Sequence, residues 1–295
     1  MMTMSYKNLG ALRIGTSSWS FPDWRGVFYP RGTPADRQLN HYAATFNSVE
    51  INTSFYALPA PRTVRRWLES VSPAFTFSLK APREITHERQ LVDVDELAAA
   101  YLDVVRSFGT AAGPGLIQFP AAVSRARAGR RLAGFFDRLA PAAASIPLSV
   151  EVRAVDLMTP AFVRFLMERR IGFVTVERVG QPDTFCHWQA AAESADPTIP
   201  LHIRLIGRDR DPLPDDSMLR RPQDELLDKW AQRIAAVLQA GRDVFCYVHN
   251  PFEGHAPGTV RRLRARVGMH VPLPEWNPAI VTPPDDEESG QMGLF

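Results

Sequence analysis

The chain has 295 residues, 45% hydrophobic and 22% charged, enough to bury a large core as one big domain or two small ones. Its formal net charge of +2 is too small for nucleic-acid binding by bulk electrostatics. Two cysteines make no disulfide framework, no stretch is apolar enough to span a bilayer, and the leading MMTMSYKNLG lacks the pattern of a signal peptide, so a soluble cytoplasmic protein is expected.

From Leu12 onward, strand-like segments alternate with helical ones. Strands are expected at 12–18, 48–54, 76–82, 115–120, 148–153, 172–178, 201–207 and 243–250. Helical spacing fills the gaps, for example over 63–71, 94–108, 131–139, 160–169 and 224–240. Strand alternating with helix implies a parallel sheet. Eight such units in one chain of this size fit a closed (β/α)8 TIM barrel better than an open sheet. No Gly-rich phosphate fingerprint follows the first strand, which further weakens a dinucleotide-binding alternative. The barrel domain is expected over 10–274, with 183–200 and 208–222 as exposed insertions. Residues 275–295, containing PPDDEESG, read as a flexible acidic tail too polar to pack.

Side chains alternate across a strand, and the alternation here places polar groups on the inward face. Arg13, Gly15 and Ser17 share a face in the first strand. Glu50 and Asn52 do so in the second, and Ser78 and Lys80 in the third. Gln118 lies between Ile117 and Phe119, and Glu151 and Arg153 oppose Val150 and Val152. Glu177 pairs with Thr175, His202 with Arg204, and the last strand ends in His249-Asn250. Interiors of parallel barrels are usually filled by branched apolar residues. Burying this many charges for packing alone is seldom favourable. They also gather toward the strands' C-terminal ends, where barrel enzymes build their sites. An internal ion-pair network is the alternative for any one residue, with Glu50 on Lys80, and Glu151 on Arg153 or Arg204. Lys7, Lys80 and Lys229 are the only lysines among 34 basic residues, the other 31 being arginine. Lys80 is notable for that, because a buried amine can be neutralised and a guanidinium cannot.

The loops around this ring are aromatic: Trp19, Phe21, Trp24, Phe28 and Tyr29 after the first strand, Phe55 and Tyr56 after the second. Such rings can stack on sugars or bases, or can pack the barrel mouth. His87, just beyond the third strand, lies within reach of Lys80.

The segments GTSSWSFPDWRGVFYP, VEINTSFYALP, FSLKAPREITHERQL, GLIQFP and VEVR, in this order, resemble the YecE-like family, domain of unknown function 72. The resemblance spans nearly the whole barrel and implies a TIM barrel, but brings no established reaction. By matching position, the family's polar pattern falls on Glu50, Asn52, Lys80, Thr86, His87, Gln118, Glu151, Arg153, Arg204 and Asn250. The chain departs from the family after Arg153, at Ile206, and at the end of the last strand.

Two classes of function follow. In the first, the chain is an enzyme, hydrolase- or nuclease-like, acting on a phosphorylated or nucleic-acid substrate. Lys80, Arg153 and Arg204 hold phosphate oxygens, and Glu50, Glu151 or Glu177 serves as base, or binds a divalent metal with His87 or His249. No metal-ligand spacing is recognisable. Catalytic candidates are Glu50, Lys80, His87 and Glu151; substrate contacts are Asn52, Gln118, Arg153, Arg204, Asn250, Trp19 and Tyr56. A sugar or sugar-phosphate isomerase or hydrolase using paired carboxylates is the alternative enzyme. The second class is a non-catalytic binding protein. It would recruit a partner through its tail. Gln291, Leu294 and Phe295 of QMGLF resemble the peptide that docks bacterial replication and repair proteins on the DNA sliding clamp, a resemblance that implies recruitment of the enzyme to DNA maintenance.

Overall fold

A computed structural model describes residues 9–211, 213–276 and 278. Eight parallel strands run β1 (Leu12–Ser17), β2 (Ser48–Ile51), β3 (Thr76–Leu79), β4 (Gly115–Phe119), β5 (Leu148–Val152), β6 (Ile171–Arg178), β7 (Leu201–Gly207) and β8 (Val244–Val248). Their order is β3-β2-β1-β8-β7-β6-β5-β4. The remaining seam, between β3 and β4, is narrow: bridges join Phe77 to Ala112 and Lys80 to Leu116, with Ala81 N–H donating to the Leu116 carbonyl at 2.8 Å. The result is the expected (β/α)8 barrel. Among the described residues no helix is long and apolar enough to cross a membrane.

The helices are α1 (Gln38–Thr45), α2 (Pro61–Glu69), α3 (Asp95–Ser107), α4 (Arg125–Ala143), α5 (Pro160–Met167), α6 (Phe185–Ala192), α7 (Asp224–Gln239), α8 (Asn250–Glu253) and α9 (Ala256–Gly268). Capping and proline explain several starts. Ser124 and Thr159 accept backbone N–H groups at the starts of α4 and α5, and proline occupies the first turn of α2, α5, α8 and α9. Helix α4 begins six residues before the expected 131, because Ser124 rather than the apolar spacing sets its start. The expected insertion at 183–200 contains α6. Phe185 and Trp188 of that helix are buried and Trp230 of α7 meets Phe185 at 5.9 Å, so its aromatics pack inward despite the polar sequence around them.

Outward strand residues join the helices in the main core, as the alternation requires: Phe119 meets Phe136 at 5.9 Å and Phe77 meets Phe108 at 5.2 Å. Inside the barrel a second, separate apolar cluster holds Leu116, Val174, Val176 and Ile206. That cluster reverses the expectation for β6. Its valines face inward, registered with His202 and Arg204 of β7, while Glu177 faces the helices. There Glu177 accepts from Trp230 Nε1 at 2.9 Å and from Lys229 Nζ at 3.0 Å. A strand buried on both faces carries little parity signal, and an outward glutamate needs only such partners. The β1–β2 ladder depends on a glycine: a Cβ on Gly15 would fall 1.8 Å from the Ser48 carbonyl oxygen.

At the opposite end from the charged residues, packing continues past the boundary expected at 274. Trp276 packs on the core and its indole N–H donates to the Ala43 carbonyl at 2.9 Å. Of the expected tail, only Glu275, Trp276 and Pro278 are described.

Candidate functional site

One guanidinium organises the inside of the barrel. Arg204, in the middle of β7, is 2% exposed, while Glu50 of β2 and Glu151 of β5 are fully buried. Arg204 Nε donates to Glu50 Oε2 at 2.8 Å and Nη2 to Glu50 Oε1 at 2.7 Å. Its Nη1 donates to Glu151 Oε2 at 2.5 Å. A planar fork holds one carboxylate bidentately and a second with its remaining arm, which an ammonium could not do. Glu151 also faces Arg153, whose Nε lies 2.5 Å from Oε1. Burial alone would raise the Glu151 carboxyl, but Arg204, Arg153 and Lys80 outweigh it and hold the group down at about 2. At neutral pH Glu151 therefore has no proton to give, and as a base it is weak.

Lys80 follows the last residue of β3 and stands apart from this network. Among the described residues no carboxylate lies within ion-pair distance of its Nζ, which sits 4.1 Å over the Phe55 ring centroid. The Glu50–Lys80 pair weighed from the sequence does not form, because Arg204 takes Glu50. Burial first, then the Arg204 charge, lowers the Lys80 ammonium from 10.5 to about 8, against the opposing pull of Glu151 and Glu50. His87 shares the same aromatic ring. Its imidazole meets Phe55 edge-on at 4.9 Å, and Nδ1 is hydrogen-bonded to Thr86 Oγ1 at 2.7 Å. It lies in a π-helical turn, Glu84–Glu88, a distortion often found where a side chain is aimed at a site. Burial and then Lys80 lower its pKa, favouring the neutral ring.

Two further imidazoles complete the ring. His202 Nε2 is 4.0 Å from Glu50 Oε2, and His249 Nε2 is 3.7 Å from Glu50 Oε1. Burial followed by Arg204 brings His202 down to about 3 and pushes His249 well below its ordinary value. Both nitrogens of His202, Nε2 of His249, and Oδ1 of Asn52 have no hydrogen-bond partner among the described residues. His249 is expected from the sequence only as a metal ligand and His202 has no expected role, although the alternation in LHIRLIG already places His202 on the inward face beside Arg204.

The structure thus brings Glu50, Glu151, Arg153, Arg204 and Lys80 together. Asn52 joins them at the end of β2 through its side-chain amide, which donates to Ser17 Oγ. Gln118 lies beside Glu151 in the β4–β5 register. Three residues do not join the ring. Asn250 is turned into the protein, its Oδ1 accepting the Ala256 N–H at 3.0 Å to cap α9; the start of a new helix at 256 claims it. Trp19 meets Trp67 of α2 at 5.3 Å, and Trp67 stacks on Phe77 and Phe108 of the helix layer. Tyr56 is 75% exposed and packs on Phe55 at 5.4 Å. Trp24, Phe28 and Tyr29 are core residues. Gln291, Leu294 and Phe295 lie outside the described residues.

A metal does not fit these groups as placed. Among the described residues no group of three His, Cys, Asp or Glu is gathered to hold one, and the ring carboxylates are already engaged by guanidinium groups.

The chain is similar to known proteins over most of its length. The chain is 28% identical over 266 residues to UPF0759 protein YecE of Escherichia coli K12, covering 85% of this chain and 90% of that one. UPF0759 protein YunF of Bacillus subtilis is 23% identical over 265 residues, with 82% and 90% covered. The crystal structure of a DUF72 family protein from Thermotoga maritima superposes with a TM-score of 0.68 at 22% identity, covering 86% of this chain and 98% of that one, a likeness of fold. The sequence profile described as "Protein of unknown function DUF72" matches residues 13–281, and the chain belongs to that family.

Proposed function

We propose that the C-terminal mouth of the barrel binds and acts on a phosphorylated small molecule, with the phosphoryl group as the recognition handle. One observation carries this reading: Lys80 reaches the mouth with no carboxylate partner among the described residues, because Arg204 takes both carboxylates beneath it. Three cationic groups, Lys80, Arg153 and Arg204, then face two carboxylates, and the neighbouring imidazoles are neutral. The excess positive charge lies at the strand ends, where an anion is favoured. Arg153, 16% exposed, is the second contact. The small net charge of the whole chain favours a ligand the size of a nucleotide or sugar phosphate over an extended nucleic acid. Hydrolysis of a phosphate ester and isomerisation of a sugar phosphate both need this handle.

Isothermal titration with inorganic phosphate and glucose 6-phosphate tests the reading. Binding that weakens at least tenfold in Lys80→Met, and again in Arg153→Gln, is expected. Affinity unchanged in both variants, or no binding at millimolar ligand, would overturn it. Binding without turnover of p-nitrophenyl phosphate or of sugar phosphates would leave a non-catalytic receptor. Recruitment to the sliding clamp is a separate proposal resting on QMGLF alone. It predicts a peptide Kd near ~1 μM, about −8 kcal/mol, lost when Leu294 and Phe295 both become alanine.

A further inference from the structure

We infer that Lys80 is an imine-forming amine, and that the phosphorylated ligand carries an aldehyde or ketone placed against it. This rests on the phosphate-binding reading above and assigns the chemistry of the same site. The geometry separates Lys80 from the other charges of the barrel. Both buried glutamates of the barrel interior, Glu50 and Glu151, are engaged by arginine, whereas the Lys80 amine ends over the face of Phe55 with no carboxylate of the described residues in ion-pair reach. A lysine held only to neutralise a carboxylate would be paired with it. The composition points the same way. The chain uses arginine at 31 positions and lysine at three, and one of the three is this half-buried position over Phe55. A guanidinium does not lose its proton in proteins and cannot form an imine.

The surroundings favour the neutral amine. Burial and the charges of Arg204 and Arg153 lower the ammonium to about 8, so that roughly a tenth of the amine is free at pH 7. The step balances without an oxidant or reductant. The amine nitrogen adds to the carbonyl carbon, forming a C–N bond, while one proton passes from nitrogen to the carbonyl oxygen to give a carbinolamine. The C–O bond then breaks, the second nitrogen proton leaves with the hydroxyl as water, and a C=N bond remains. His87, on the same phenylalanine ring and held neutral, is the group placed to carry those protons. Protonation of the imine restores a positive charge at the mouth, so the phosphoryl group keeps its counter-charge through the reaction.

Pyridoxal phosphate, an aldehyde bearing a phosphoryl group, is the probe, with pyridoxal as the unphosphorylated control. The full-length protein is incubated with each, reduced with borohydride, and mapped by mass spectrometry. Three lysines make the map simple. The expected result is labelling of Lys80 at least tenfold above Lys7 and Lys229, suppressed by inorganic phosphate, and increasing as pH rises through about 8. Lys80→Arg should lose the adduct while Lys7 and Lys229 keep their background labelling. Equal labelling of the three lysines, or none at Lys80 while phosphate still binds, overturns the imine and leaves the phosphate site standing. Labelling of Lys80 that is equally strong with pyridoxal and insensitive to phosphate does the reverse. The wild-type map needs no variant to fold.

Discussion

Two buried glutamate networks can be set side by side, one inside the barrel and one at its edge. Glu253, at the end of α8, is fully buried and saturated. Oε1 accepts the Gln223 N–H at 2.7 Å and Arg262 Nη1, while Oε2 accepts the Thr259 hydroxyl at 2.7 Å. Its own carbonyl accepts the backbone N–H groups of Arg220 at 2.7 Å and Arg221 at 3.0 Å. Arg262 continues to Asp224, so one carboxylate fastens α7, α8, α9 and the loop before them. The Glu50–Glu151–Arg204 network is equally buried but fastens no helix. Around it stand imidazoles with unpartnered nitrogens, an amide oxygen without a donor, and an ammonium without a carboxylate. Buried polar groups in a purely structural network are satisfied; those at the mouth are not. Among the described residues, then, the Glu253 carboxylate is fully partnered and several groups around Arg204 are not.

The largest expected effect breaks the two networks in parallel. Arg204→Met leaves two fully buried carboxylates without their guanidinium and should cost about 3–5 kcal/mol. Changing Glu50 and Glu151 to leucine in the same chain should recover most of it, since the cost lies in the unpaired charges. Arg262→Met leaves Glu253 with the Gln223 N–H and the Thr259 hydroxyl, so its cost should be nearer ~1–3 kcal/mol. Urea unfolding of the four proteins checks this ordering. A larger loss for Arg262→Met than for Arg204→Met would mean that the edge clamp, not the barrel interior, carries the buried-charge penalty.

Lys80 sharpens the comparison through pH. Its ammonium is depressed from 10.5 to about 8 in the folded chain. Between those values the unfolded chain therefore binds more protons than the folded one, and stability rises with pH across that window. Below pH 8 the folded protein carries the full penalty of the desolvated charge, about 3 kcal/mol at 1.36 kcal/mol per unit. Lys80→Met removes it, so the variant should be more stable than the parent at pH 7, and the gap should close as pH rises toward 10.5. Thermal melts of the two proteins from pH 6 to 10 read the difference. A Lys80→Met protein that is less stable at every pH would show that the ammonium is paired after all.

Much of this was legible in the residues and some of it could not be. The barrel, and the inward placement of Glu50, Lys80, Glu151, Arg153 and Arg204, followed from period-two alternation in strands whose outward faces are apolar. The partner of each charge did not. Glu50 lies beside Lys80 in sequence order of strands, yet binds Arg204 from across the barrel, because only closure of the sheet brings β2 and β7 together. Glu177 was misplaced for a different reason: valines and a threonine flank it, and on a strand buried on both sides they mark neither face. The polar stretch around Phe185 hid a helix for want of a capping signal, since Thr184 makes no side-chain cap. Asn250, one residue past His249 at the end of β8, gave no sign that a short helix would turn it inward.

That last residue supplies the smallest expected effect. Asn250 begins α8, is 4% exposed, and presents Oδ1 to the Ala256 N–H at 3.0 Å. It thereby satisfies one of the backbone donors left free at the start of α9, where His255 makes no side-chain cap. Its neighbour His249 points into the charged ring, so the two residues, adjacent in sequence, serve different ends of the same turn. Asn250→Ala should then cost about 1 kcal/mol, the usual loss for a helix cap, and leave phosphate affinity unchanged. Asn250→Asp keeps an acceptor for the Ala256 N–H but sets a second, buried carboxylate beside Asp216, so it should not restore the stability. His249→Gln should instead alter phosphate binding by changing the wall of the mouth. A tenfold loss of phosphate affinity in Asn250→Ala, with stability intact, would return the residue to the ligand site and remove it from the cap.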